Sequence, residues 1–230
     1  MKGIRGESMR LVLASFNNGK RAEVAGILSS VGVDLLSPVD FGLRSLPEET
    51  GQTFLDNAVI KAASVAVASG MMAVGDDSGL QVDALNGMPG VMSARFAGPT
   101  HDDAANNFRL LELLKGVPDR SAAFVCTAAL LVPEMLARAA GGSVDGVELV
   151  RDHPGVPSGW TLFKATGRVE GRIIDEPRGS DGFGYDPLFF VDELGLTFAE
   201  IPRDQKNALS HRGEAFSRLI PLLARLGRAG

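Results

Sequence analysis

The sequence predicts an α/β protein with a long mixed β-sheet flanked by helices. Apolar runs of strand length alternate with segments of helical periodicity in the first half of the chain. Two later apolar runs follow each other without a helix between them. Alternating strands and helices favour parallel pairing, whereas adjacent strands favour antiparallel pairing, so both kinds are expected in one sheet.

The predicted elements follow in order. The first half contains a strand over 10–15, a turn over 16–20, a helix over 21–31, a strand over 33–36, a loop over 46–51, a helix from the capping-box residue Thr53 to about Ser69, and a strand over 71–75. The second half contains a loop over 86–100, a helix over 102–114, a strand over 122–132, an extended loop or hairpin near 134–158, strands over 160–174 and 187–191, and a helix over 213–227. In the 102–114 helix, Phe108, Leu111 and Leu114 are predicted to share one side.

Composition excludes several classes of protein. With 230 residues, 45% hydrophobic and 22% charged, the chain can bury a core without disulfides. Its single cysteine, Cys126, rules out a disulfide framework and a multi-cysteine zinc site. The net charge of −5 argues against nucleic acid as the main partner.

Neither a membrane span of ~18 apolar residues nor an apolar signal region is visible. We therefore expect a soluble, cytoplasmic protein without a membrane partner. Residues 1–8 are expected to be a flexible extension, and residues 9–230 a single domain of two lobes.

The first candidate site is the turn over 15–20, which reads Ser-Phe-Asn-Asn-Gly-Lys. A strand that turns through glycine into a helix presents free N–H groups to an anion, and Lys20 adds a positive charge. The turn is not a Walker A loop, because Arg21 stands where Ser or Thr is required. The alternative interpretation is an ordinary capped helix with a surface lysine.

The second candidate site is formed by two acidic pairs on separate loops, Glu48-Glu49 and Asp76-Asp77. One carboxylate from each pair, together with phosphate oxygens and waters, would suit Mg²⁺. Because neighbouring strand residues face opposite sides, only one aspartate of the second pair is expected at a shared site. The alternative is solvated loop charge, with Asp76 as a cap.

Two further candidates lie near the end of the chain. The glycine-rich stretch 179–187 contains Phe183 and Tyr185, whose rings could stack on a base or simply fill the core. The stretch 206–213 groups basic residues before the last helix, where they could bind phosphate or a base edge, or form a helix entry capped by Ser210. His101 and His153 are predicted to be surface residues, and Cys126 is predicted to be a buried hydrophobe.

Five segments, taken together and in this order, resemble the inosine/xanthosine triphosphate pyrophosphatase family. They read LVLASFNNGKRAEVAGIL, EETGQTFLDNAVIKA, GDDSGLQVDALNGMPGVMSARFAG, GSDGFGYDPLFF and KNALSHRGEAF. The resemblance covers about residues 10–226 apart from the middle, where 133–159 is longer than the family pattern. It departs from the family's usual T-G-N or T-x-N at Ser15-Phe16-Asn17.

The resemblance implies an elongated α/β fold of two lobes with an active-site cleft between them, usually as a homodimer. It also implies Mg²⁺-dependent hydrolysis of ITP, dITP and XTP to the monophosphate and pyrophosphate. The alternatives are a non-catalytic purine nucleotide sensor and a pyrophosphatase for another modified nucleotide.

The same resemblance assigns roles to individual residues. It implies that Asp77, Lys20 and Asp76 are catalytic and that Glu48 and Asp77 bind the metal. The residues that it places at the substrate are Ser15, Phe16, Asn17, Asn18, Gly19, Lys20, Ser78, Arg95, Phe183, Gly184, Tyr185, Asp186, Lys206, His211 and Arg212.

Overall fold

The computed structural model describes residues 9–141, 144–202, 205 and 210–229. The strands are β1 (Met9–Leu13), β2 (Val33–Leu36), β3 (Ala73–Val82), β4 (Ser121–Pro133), β5 (Val147–Val150), β6 (Trp160–Ile173), β7 (Phe189–Val191) and β8 (Leu196–Thr197). The helices are α1 (Asn18–Leu28), α2 (Phe54–Ser69), α3 (Asp103–Leu113), α4 (Glu134–Ala140) and α5 (His211–Ala229).

The described strands form one mixed sheet, which confirms the predicted fold class. Their order is β2-β1-β3-β4-β6-β7-β8, and β5 pairs with β6. Strand β1 runs parallel to both β2 and β3. The β5–β6, β6–β7 and β7–β8 pairs are antiparallel.

The described chain divides into two compact units. The first unit lies within 9–77, 127–166 and 215–229, and the second within 78–126 and 167–214. In the first unit, alanines and branched residues of α2 pack against residues of β1, β3, β4 and β6. In the second unit, the rings of Phe124, Phe189 and Phe198 lie with centroids 4.7 to 5.5 Å apart and form the centre of the core.

Local sequence signals explain the ends of α2. Thr53 Oγ1 accepts a hydrogen bond from the Asp56 backbone N–H, and Asp56 Oδ2 accepts one from the Thr53 N–H, so both residues of the capping box are used. At the other end, Gly70 adopts the left-handed conformation (φ 66°) that favours glycine after a helix. The predicted helix therefore begins and ends as its sequence indicates.

The structure corrects two predictions, the end of the strand before Asp76 and the buried side of the helix that contains Phe108. Strand β3 does not end at Gly75 but continues to Val82, so Asp76 and Asp77 lie within the strand rather than on a loop. Phe108 is 69% exposed. The buried positions of α3 are Asn106 and Leu110, which are four residues apart and therefore share a face that Phe108 does not reach.

The segment near 134–158 contains α4 and β5, which pairs antiparallel with β6. Among the described residues, no helix is both long enough and apolar enough to cross a membrane.

Candidate active site

The turn after β1 is organised by asparagine capping. Asn17 is the N-cap of α1, and its Oδ1 accepts a hydrogen bond from the Lys20 backbone N–H at 3.0 Å. The Asn17 N–H donates to Ser15 Oγ at 3.2 Å. Asn18 and Gly19 form the start of the helix, where N–H groups and the helix dipole favour an anion. Phe16 is exposed beside this turn.

Lys20 forms an ion pair with the buried carboxylate of Asp76. The Lys20 Nζ lies 3.1 Å from Asp76 Oδ2, and the Asp76 side chain is only 1% exposed. A charge buried to this extent requires a partner, because its hydration is lost on folding. Two residues that the sequence predicted to be catalytic are thus brought together in the first unit.

Asp77 has different partners from Asp76, as expected for neighbours on a strand. Its Oδ2 accepts a hydrogen bond from Asn57 Nδ2 at 2.9 Å, and its Oδ1 lies 3.9 Å from Lys61 Nζ. Asn57 and Lys61 are four residues apart on α2, and both are buried. The helix thus presents one amide donor and one ammonium group to the carboxylate.

The two glutamates of the pair Glu48-Glu49 also lie in different environments. Glu49 Oε1 lies 2.6 Å from Lys61 Nζ, so Glu49 and Asp77 share one cation. Glu48 is exposed, and among the described residues its carboxylate takes part in no ion pair. The family resemblance implies Glu48 at the metal, whereas in the structure it is Glu49 that contacts Lys61, the residue that also lies near Asp77.

Two residues of this cluster, Asn57 and Lys61, were missed by the interpretation of the sequence, which named Glu49 only as one member of an acidic pair. A usable signal was present, because Asn57 and Lys61 interrupt the buried apolar face of an otherwise alanine- and valine-rich helix. Polar groups on a buried helix face require partners, and such partners often belong to a functional site.

The chemistry of the cluster is compatible with a divalent cation. Lys20, Lys61, Glu49, Asp76 and Asp77 include more carboxylates than ammonium groups. Carboxylate oxygens are the protein ligands that Mg²⁺ prefers, and Mg²⁺ completes its coordination with waters and substrate phosphates. In the described part of the chain, no group of three or more His, Cys, Asp or Glu residues is placed to hold a metal by itself. The carboxylate oxygens of the cluster are therefore of the type that a divalent cation requires from a protein, and the cation would need further ligands.

The predicted aromatic pair of the second unit separates into one surface ring and one core ring. Phe183 is 73% exposed, whereas Tyr185 is buried and its hydroxyl donates to the Ser93 carbonyl at 2.8 Å. Burial, with a smaller contribution from the Asp103 charge, raises the pKa of Tyr185 above its ordinary value. Asp186 is buried and accepts a hydrogen bond from the Phe183 N–H at 2.8 Å. Gly184, between Phe183 and Tyr185 in the chain, adopts the left-handed conformation.

The remaining predicted site residues of the second unit lie around the start of α5 and on nearby segments. Ser210 Oγ accepts from the Gly213 N–H at 2.8 Å, as expected for a cap. The His211 ring stacks on Phe124 at 5.2 Å, and an Arg212 Nη lies 3.5 Å from Ser78 Oγ. Arg95 ends a short 3₁₀ helix over Gly90–Arg95. Lys206 lies outside the described residues.

The fold and the site together define an α/β protein with a mixed sheet and a cluster of lysines and carboxylates in its first unit. The sequence profile of the Ham1 family matches residues 11–222. The chain belongs to this family.

Relatives support the assignment over nearly the whole chain. A dITP/XTP pyrophosphatase of Desulforamulus reducens is 44% identical over 220 residues, which are 95% of this chain and 97% of that protein. One from Geobacter sulfurreducens is 45% identical over 212 residues, 91% of this chain and 94% of that protein. The family that the sequence motifs indicated is thereby confirmed.

Solved structures agree with the fold. A HAM1 protein from Coxiella burnetii superimposes with a TM-score of 0.76 at 38% identity, covering 94% of this chain and 98% of its own. A nucleoside-triphosphatase / dITP/XTP pyrophosphatase from Mycobacterium abscessus gives a TM-score of 0.69 at 40% identity, covering 94% of this chain and 100% of its own.

Proposed function

We propose that the chain hydrolyses noncanonical purine nucleoside triphosphates, namely dITP, XTP and ITP, to the monophosphate and pyrophosphate. This reaction cleanses the nucleotide pool. The chain is a nucleoside triphosphate pyrophosphatase, a hydrolase that acts on acid anhydrides. The relatives from Desulforamulus reducens and Geobacter sulfurreducens are named dITP/XTP pyrophosphatases. The observation that carries the proposal is the cluster of Lys20, Asp76, Asp77, Lys61 and Glu49 in the first unit.

The polyphosphate is proposed to bind at the start of α1. The Ser15 hydroxyl and the N–H groups of Asn18 and Gly19 at the start of the helix offer hydrogen-bond donors, and Lys20 offers a positive charge. Asp76 holds the Lys20 ammonium at 3.1 Å and thereby fixes its position. A triphosphate carries roughly four negative charges, so cancelling charge at the reacting phosphoryl group is the main catalytic demand.

Asp77 is proposed to position and deprotonate the attacking water. Asn57 donates to its Oδ2, so the orientation of the carboxylate is fixed before substrate arrives. A fixed general base contributes because the reacting groups lose little freedom in the transition state.

Asp77 and an acidic residue of the 46–51 loop are proposed to hold Mg²⁺. The family resemblance assigns Glu48 to this position, and the shared contact with Lys61 favours Glu49. When bound, Mg²⁺ supplies charge neutralisation at the phosphate oxygens and lowers the pKa of a bound water.

Selectivity is proposed to come from the base. The exposed ring of Phe183 offers a stacking surface that accepts any base. Donors from Lys206, Arg212 or loop N–H groups would satisfy the 6-oxo group of hypoxanthine and xanthine and leave the 6-amino group of adenine mismatched. Guanine also carries a 6-oxo group, so it must be refused through its 2-amino group, whose burial without an acceptor costs ~1–3 kcal/mol.

Turnover of ITP, XTP, dITP, GTP and ATP with Mg²⁺ tests this function, with pyrophosphate and orthophosphate measured separately. We expect pyrophosphate from the first three nucleotides and little product from GTP and ATP. Orthophosphate as the product would contradict the proposed bond cleavage. Binding of ITP without any pyrophosphate at saturating Mg²⁺ would indicate a sensor instead, and a kcat/KM for GTP close to that for ITP would refute the account of selectivity.

A further inference from the structure

The segment 183–186 combines an exposed aromatic ring with a tightly bonded backbone. The Phe183 N–H donates to Asp186 Oδ2 at 2.8 Å, and the Asp186 N–H donates back to the Phe183 carbonyl at 3.2 Å. Phe183 is nevertheless 73% exposed. The backbone of the turn is therefore held although the ring at its start lies at the surface.

Helix α3 binds the next residue of this turn through both of its backbone polar groups. Asp103 Oδ2 accepts a hydrogen bond from the Gly184 N–H at 2.7 Å, and Asn107 Nδ2 donates to the Gly184 carbonyl at 2.9 Å. Asp103 and Asn107 are four residues apart and so lie on one face of the helix. Gly184 has a φ of 61°, a conformation that glycine adopts at no steric cost.

The amide of Asn107 is kept at a cost to stability. Its Oδ1 is buried, and within the described residues it accepts no hydrogen bond. Leaving a buried acceptor unsatisfied is unfavourable, yet turning the amide over would place Oδ1 against the Gly184 carbonyl, so that two acceptors would face each other. The observed orientation therefore keeps the hydrogen bond from Nδ2 to the Gly184 carbonyl and leaves Oδ1 without a hydrogen bond.

We propose that Asp103 and Asn107 are positioning residues that fix Gly184 and thereby set how Phe183 presents its ring to the purine base. This inference rests on the proposed function, because it requires a nucleotide as the ligand. A ring on a backbone that is already ordered loses less freedom when the base binds. Since Phe183 is proposed to contact the base and not the reacting phosphates, loosening the turn changes binding and leaves the chemical step unchanged.

Variants Asp103→Ala and Asn107→Leu test the proposal through two measurements. The first is kcat and KM for dITP with Mg²⁺. The second is the Kd of inosine monophosphate by calorimetry without metal, which needs no turnover. We expect each variant to raise KM and Kd about 3- to 10-fold, the effect of ordering a freed side chain on binding, with kcat within ~2-fold of wild type. Asp103→Asn keeps an acceptor for the Gly184 N–H and is expected to stay within ~2-fold in all three values.

Two controls separate positioning from a general loss of structure. Glu112→Ala removes an exposed carboxylate from the same helix, and among the described residues the Glu112 side chain has no hydrogen bond to the turn; we expect no change. In a Phe183→Ala background, adding Asp103→Ala is expected to change Kd by less than ~1.5-fold, because no ring remains to be positioned. A full additional loss in that background would overturn the inference, as would unchanged KM and Kd in folded Asp103→Ala and Asn107→Leu variants.

Failure of the proposed function would be recognised separately. Wild-type protein that binds inosine monophosphate but releases no pyrophosphate would refute the pyrophosphatase activity, while the Kd comparison would still decide the roles of Asp103 and Asn107. Wild-type protein that binds no inosine monophosphate and cleaves no dITP would overturn both.

Discussion

At the scale of single residues, the two adjacent aspartates of β3 contact different partners. Asp76 is buried against Lys20, whereas Asp77 contacts Asn57 and Lys61 of α2. The Asp77 side chain is the more accessible of the two. A reacting water or a metal can therefore reach Asp77 more readily than Asp76, which favours Asp77 as the catalytic carboxylate and Asp76 as the residue that fixes Lys20.

The variant Asp77→Asn tests this assignment. We expect kcat to fall by at least ~10²-fold, since an amide cannot accept a proton from water, with folding retained because Asn preserves the shape of the side chain. Activity and circular dichroism on the same preparation measure both effects. A folded variant with near-normal turnover would remove Asp77 from the mechanism.

The paired variants Glu48→Gln and Glu49→Gln decide which glutamate acts with Asp77. Glu49 and Asp77 both lie near Lys61, and we expect this shared contact to identify Glu49 as the glutamate that binds the metal. Glu49→Gln is then expected to raise the Mg²⁺ concentration needed for half-maximal activity at least ~10-fold, whereas Glu48→Gln is expected to change it less than ~3-fold. A Mg²⁺ titration at saturating dITP measures both. The reverse order would assign the role to Glu48, as the family resemblance implies.

A pH-dependent contribution to stability comes from Asp56 in the capping box of α2. Burial tends to raise the pKa of Asp56, but hydrogen bonds from Thr53 and His153 outweigh it, so the pKa lies below its ordinary value of 3.8. A carboxyl group with a depressed pKa stabilises the folded state above its unfolded pKa, and the contribution is lost as the pH falls through the folded pKa.

The difference in the free energy of unfolding between wild type and Asp56→Asn is therefore expected to be largest above about pH 4 and to shrink at lower pH. Urea unfolding from pH 3 to pH 6 measures this difference. A difference that stays constant or grows on acidification would contradict the assigned pKa direction.

At the scale of elements, the packing of β3 against α2 decides the geometry of the first-unit cluster. A Cβ built on Gly75 would lie 2.4 Å from the Ala58 carbonyl oxygen and 3.0 Å from the Ala62 nitrogen, so the strand approaches the helix backbone directly. This close approach brings Asp77 within hydrogen-bond distance of Asn57. His153, predicted to be a surface residue, also contacts this helix: its Nε2 lies 3.1 Å from Asp56 Oδ1, and its side chain is only 12% exposed.

Gly75→Ala is expected to push β3 away from α2. We expect a loss of about 1–3 kcal/mol in the free energy of unfolding, the usual cost of overpacking, and a fall in kcat of at least ~10-fold because Asp77 is displaced from its partners. Denaturant unfolding and steady-state kinetics measure the two effects.

Gly26→Ala is the matched control for this variant. A Cβ at Gly26 meets nothing within 4 Å, and the residue lies inside α1. We expect this change to stabilise the protein by up to ~1 kcal/mol, with unchanged kcat. A Gly75→Ala protein as stable and as active as Gly26→Ala would show that the strand and helix have room to separate.

At the scale of the whole molecule, the family resemblance predicts a homodimer. Sedimentation equilibrium at micromolar concentration is expected to give twice the mass of one chain, with no dependence on added nucleotide. A single-chain mass across the concentration range would contradict this prediction.

Features encoded within a few neighbouring residues were predictable from the sequence. Strand β2 has the predicted bounds, and α2 begins after Thr53 and ends at Ser69. The cap of α1 at Asn17 and the cap of α5 at Ser210 also depend on contacts within three residues. Such contacts form wherever the local sequence permits them, so their signals survive without knowledge of the fold.

The tertiary structure alone decided the partners of the charged groups. The polar pair Asp76-Asp77 resembled a loop, but pairing within the sheet and packing against α2 extend β3 through it to Val82. The choice of Glu49 over Glu48 as the partner of Lys61 depends on a helix residue twelve positions away. A charged side chain can be assigned to a partner only when the packing of separate elements has fixed its distance and its exclusion from water, and both quantities are absent from the linear sequence.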